Sequence, residues 1–131
     1  MSPALRAPCP AGLCDCRRDE LLETPGADLR ILQLTREEER RLVERLEQID
    51  SLDDLQHLQR RMQALLGLDL SIAPGWNEVR SMRGFEIRLA EQPGLCRKTR
   101  QALPAAIRRG LERRPEIAWR LLDAHDLLRD S

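Results

Sequence analysis

The sequence predicts an α+β fold, a small antiparallel sheet of two or three strands covered by two helix pairs and preceded by an irregular cysteine-containing tail. Three observations lead there. Apolar residues recur at helical spacing over residues 36–66 and again beyond residue 103; the period falls to two over 68–72 and 85–89; residues 1–30 show neither period. That first segment holds four of the eight prolines and three of the four cysteines. At 131 residues, with 41% apolar and 34% charged side chains, the chain has material for one core and not for two. Residues 1–28 therefore read as a Cys/Pro-rich tail and 29–131 as a single domain.

Each element has its own signal. Leu29, Ile31, Leu32 and Leu34 suggest a short extended segment leading into the core. Thr35 and Glu38 form a capping-box pattern, and the acidic run Glu37–Glu39 suits the positive end of a helix dipole. A helix is predicted from Arg36 to Ile49, with Leu42, Val43, Leu46 and Ile49 as its buried stripe and a Glu37–Arg41 pair on its wet side. Ser51 and Asp54 repeat the cap, and Leu52, Leu55, Leu58, Met62, Leu65 and Leu66 keep helical spacing until Gly67 stops it. The short link predicts that these two helices pack antiparallel.

Leu68, Leu70 and Ile72 then alternate with polar residues up to a Pro74–Gly75 turn, as Phe85, Ile87 and Leu89 do later, and residues 77–82 are a candidate middle strand. Beyond Pro93 and Gly94, the residues Leu103, Ala106, Ile107 and Leu111 share a helical face, and Pro104 suits a first turn. Pro115 opens a last helix with Ile117, Leu121, Ala124 and Leu128 at core spacing, and Trp119, partly off that stripe, is read as core on a broad helix. Trp76 either anchors an interface or closes the sheet end.

Composition excludes several functions. With no tyrosine, one phenylalanine and two tryptophans, base stacking on aromatic platforms is disfavoured. No apolar run approaches the ~20 residues of a membrane span, and no secretory signal opens the chain, which reads as cytoplasmic with no membrane partner. Only two histidines, His57 and His125, are available as bases, each reading as a solvated or packed side chain. With no catalytic or phosphate-loop motif, an enzyme is disfavoured.

The cysteines carry the first candidate chemistry. Cys9, Cys14 and Cys16 follow a C-x4-C-x-C spacing. Beside a leucine-rich core such a cluster points to metal or redox chemistry before a disulfide framework. Thiolates bind zinc tetrahedrally at about 2.3 Å, so three need a fourth, and Cys96 is the candidate. Zinc is the first expectation and an iron–sulfur cluster on the same four thiols the second. Reduced free thiols and disulfide chemistry remain open on spacing alone. The cations after Cys96 favour its thiolate, but no histidine spacing turns it into a catalytic pair.

The second candidate is charge. Twenty-two basic and 22 acidic residues cancel overall, yet residues 1–79, 80–114 and 115–131 carry net charges of −5, +7 and −2. All the basic residues but Lys98 are arginine, a bias that fits a GC-rich bacterial genome. Within 97–114, Arg97, Lys98, Arg100, Arg108, Arg109, Arg113 and Arg114 are opposed only by Glu112. Guanidinium forks suit phosphate oxygens, so the first functional expectation is a small bacterial accessory or regulatory protein engaging RNA, a ribonucleoprotein or a protein partner through this face. Internal charge matching against the acidic half of the chain is the plainer reading of the same residues. The alternative function is a metal or iron–sulfur protein built on the four cysteines.

Overall fold

The computed structural model describes Arg6, Cys9, Cys14, residues 16–74 and residues 85–129, with the backbone alone for Pro74 and residues 124–129. The candidate middle strand and Trp76 lie outside the described residues, as do the side chains of Ala124, His125 and Leu128.

The α+β prediction holds. Helices α1 (Arg18–Glu23), α2 (Arg36–Glu47), α3 (Leu52–Leu66), α4 (Arg97–Arg113) and α5 (Pro115–Arg129) flank a two-stranded antiparallel sheet of β1 (Leu70–Pro74) and β2 (Phe85–Leu89). The register pairs Leu70 with Leu89, Ile72 with Ile87 and Pro74 with Phe85. Leu70, Ile72, Phe85, Ile87 and Leu89 share one face, with Ser71, Glu86 and Arg88 exposed on the other, as the period of two requires.

Both helix starts follow their capping residues. The Thr35 side chain accepts from the Glu38 N–H at 3.3 Å, and the Ser51 side chain from the Asp54 N–H at 3.0 Å. Gly67 ends α3 in the left-handed region at φ 70°, with its N–H and that of Leu68 donating to the Gln63 and Met62 carbonyls. Arg30 reaches the same helix end and donates to the Gln63 and Ala64 carbonyls while it grips Asp28 at 2.7 Å. The Glu37–Arg41 pair forms at 3.0 Å, and Arg45 pairs with Asp54 across the α2–α3 link.

Four expectations are corrected. Residues 30–33 form a 3₁₀ turn rather than an extended segment, because neighbouring Ile31 and Leu32 both enter the core, which alternation forbids. Helix α4 begins at Arg97, placing Pro104 in its interior: Thr99 and Leu103 extend the buried Ile107, Leu111 stripe backwards by four-residue steps, and that burial outweighs the missing proline N–H. Trp119 is 60% exposed, since it lies two residues from both Ile117 and Leu121 and so projects from the opposite side of α5. The main packing partner of α2 is α4, not α3, while α3 lies against the 3₁₀ turn, α5 and β1.

The segment read as a tail also contributes structure. It contains α1, whose Leu21 joins the same core as Ile31, Leu32 and Leu95. Ahead of α1 the Arg6 N–H donates to the Leu32 carbonyl at 2.6 Å, and Arg18 donates back to the Arg6 carbonyl at 2.7 Å.

Candidate metal centre

The thiols meet because two backbone segments are fixed side by side. The chain turns at Pro93 and Gly94, and the Gly94 N–H donates to the Cys16 carbonyl at 2.6 Å. Gly94 sits at φ 90°, and a Cβ there would lie 2.7 Å from Ile31 Cγ2 and 2.8 Å from Leu21 Cδ2. Only glycine allows both the turn and this approach. Two residues later Cys96 occupies the N-cap of α4, yet its side chain makes no capping hydrogen bond. Its sulfur is turned instead to the N-terminal cysteines.

There Cys9, Cys14, Cys16 and Cys96 place their four Sγ atoms within 4.8 Å of one another. Cys9 Sγ is 3.5 Å from Cys96 Sγ and 3.9 Å from Cys16 Sγ, and all four cysteines are unbridged. Cys16 and Cys96 are buried, and Cys9 and Cys14 are half-buried. All four sequence-predicted ligands are thus brought together.

The electrostatics of the cluster are uneven. Burial pushes up the Cys9 thiol, against a hydrogen bond from Cys96. Cys96 is also raised, by burial first and its hydrogen bond with Cys9 second, and the Arg6 charge opposes both. At Cys14 burial acts upward too, but backbone N–H groups of Arg97 and Cys16 donate to the sulfur and lower it to about 7. Four thiolates this close repel one another strongly, so they ionise together only around a cation. Two features act for the anionic state against that burial: Cys14 sits at the positive end of α4, whose first turn holds no acidic residue, and Arg6 Nη2 approaches Cys16 Sγ at 3.4 Å.

Sequence reasoning missed Arg6 and Gly94. A single arginine in a proline-rich segment carries no spacing signal, and the demand on Gly94 arises only from residues far away in the chain.

The basic candidates are spread along the length of α4. Arg97 and Lys98 are exposed at the thiol end of α4, and Arg113 and Arg114 at the other, about 25 Å away by helical rise. Between them Arg109 pairs with Glu47 of α2 at 2.6 Å, and Arg108 donates to the Phe85 carbonyl at 3.2 Å. Arg100 lies 3.7 Å from Glu91, and Arg114 3.7 Å from Glu116. His57 is exposed on α3. Among the described residues no helix is long and apolar enough to cross a membrane.

No protein family, curated protein or solved structure matches the chain.

Proposed function

We propose that the protein is a zinc protein in which Cys9, Cys14, Cys16 and Cys96 hold one ion as a closed tetrathiolate centre. The observation that carries this reading is the convergence of four sulfurs within 4.8 Å from positions as far apart as Cys9 and Cys96. Zinc–sulfur bonds of about 2.3 Å in a tetrahedron set sulfurs about 3.8 Å apart. The 3.5 and 3.9 Å separations of Cys9 from Cys96 and Cys16 lie on either side of that value, and a single zinc ion needs only the four thiolates, whereas an iron–sulfur cluster also needs inorganic sulfide. Four protein ligands leave no open position for a substrate, so the role is structural. The ion fastens the N-terminal segment to the start of α4. This reading goes with a cytoplasmic location, where unliganded thiols stay reduced until they meet metal.

Protein purified without chelator under reducing conditions is expected to contain about one zinc per chain, with cobalt substitution giving the absorption of a tetrahedral tetrathiolate site. Zinc and iron both near zero would refute the centre; iron with inorganic sulfide would replace zinc by an iron–sulfur cluster.

A second reading concerns α4, where Arg97, Lys98, Arg108, Arg109 and Arg113 are all exposed. We propose RNA as the polyanion they engage, through phosphate rather than bases. Replacing Arg108, Arg109 and Arg113 with glutamine, which leaves the buried Ile107 and Leu111 untouched, is then expected to weaken RNA binding about equally for unrelated sequences. The slope of log affinity against log salt should flatten by about 2 to 3, near one per lost phosphate contact. Absence of binding at low salt, or an unchanged slope in a folded variant, would leave these arginines to internal charge matching of the Arg109–Glu47 kind.

A further inference from the structure

Among the described residues, Arg6 is the one charged side chain buried at the thiol cluster, with 7% of its surface exposed. Its Nη2 donates toward Cys16 Sγ at 3.4 Å, its Nε is buried without a hydrogen-bond partner, and among the described residues it forms no ion pair with a carboxylate. Burying a guanidinium with no counter-ion is strongly unfavourable, because its charge loses its hydration and gains no partner in exchange. Four neutral thiols are weak acceptors and supply no such counter-ion. A zinc tetrathiolate does, since four thiolates around a divalent cation carry a net charge of −2. The backbone of Arg6 is anchored independently of its side chain, through its N–H to Leu32 and its carbonyl to Arg18.

From this we infer that Arg6 is the counter-charge of the centre, a positioning residue whose guanidinium holds the Cys16 thiolate and offsets part of the charge on the metal–sulfur unit. This rests on the zinc reading above. Docking of the Arg6 side chain and loading of the metal are then mutually dependent: the anion admits the buried cation, and the cation strengthens the anion. Partners of this outer kind are worth roughly 10- to 100-fold in metal affinity.

The test compares the parent chain with R6K, R6Q and R6M, using zinc affinity by chelator competition and the sulfur-to-metal charge-transfer band of the cobalt forms. R6Q and R6M are expected to bind zinc roughly 10- to 100-fold more weakly. Their bands should move to longer wavelength, because a sulfur that loses a donor and a nearby positive charge gives up an electron more easily. R6K keeps the charge and should stay close to the parent in both readouts. A packing role alone would spare R6M and leave the band in place. Parent-like affinity and band in R6Q and R6M overturn the inference, as does an R6K as weak as R6Q. Should R6M not fold, the comparison of R6K with R6Q decides. A parent chain that binds no metal overturns the centre itself and the role of Arg6 with it, whereas a metal-binding parent with indifferent variants removes only Arg6.

Discussion

Replacement of Cys96 by serine is expected to abolish stoichiometric zinc and lower the unfolding midpoint by on the order of 10 °C or more. Cys96 is the one cysteine beyond residue 16, so it alone converts a local chelate into a cross-link between the N-terminal segment and the body of the fold. Closing a loop of this length is worth roughly 4 kcal/mol in the chain-entropy treatment of cross-links. Serine keeps the size of the side chain but supplies a poor zinc ligand. Chelation of the parent protein should reproduce the lower midpoint, and the same chelator should leave Cys96→Ser unchanged. Tryptic cleavage should accelerate at Arg6, which is buried in the assembled centre. An unchanged midpoint after proven loss of metal would mean that contacts such as those of Leu21 hold the segment without the ion.

Gly110→Ala is expected to destabilise the fold by about 3 kcal/mol, read from denaturant or thermal unfolding, although alanine is the better helix former by about 1 kcal/mol. Gly110 lies where α4 meets α2, and a Cβ there would sit 2.5 Å from the Leu46 carbonyl oxygen and 2.9 Å from Ile49 Cγ1. The oxygen belongs to a helix backbone and cannot turn aside, so the two helices must part. Parting them also loosens Leu46, Ile49, Ile107 and Leu111, all fully buried. The exposed Arg109–Glu47 pair across the same interface contributes at most about 1 kcal/mol and cannot offset this. A neutral or stabilising Gly110→Ala would show that the contact between α2 and α4 is looser than the packing described above.

Local chemistry was legible where the deciding partners lie within a few residues. Thr35 reaches Glu38 and Ser51 reaches Asp54 over three positions, Gly67 relieves a left-handed turn in its own backbone, and alternation in 70–72 and 85–89 fixes which strand face is apolar. The start of α4 was not legible in the same way, because Pro104 by its own preference marks a first turn, whereas the burial of Thr99 and Leu103, both ahead of it, carries the helix back to Arg97. The extended reading of residues 30–33 failed similarly, since it is the position of the core that asks Ile31 and Leu32 to enter it together.

For the site, the sequence by itself determined the donor set: three thiols in C-x4-C-x-C spacing lacked a fourth ligand, and Cys96 was the only other cysteine. It also supplied the basic run of α4 without saying which charges meet acidic partners. Tertiary structure alone decided that Cys96 lies beside Cys9, that Gly94 must be glycine for Leu21 and Ile31 to pack over it, and that Arg6 is buried against Cys16. It likewise joined Arg109 to Glu47, 62 residues away. The physical reason is range. Caps, turns and strand periods are set by backbone geometry over a few residues, whereas the approach of thiols, the burial of a cation and the clearance at a glycine depend on distant segments meeting in a single packed arrangement.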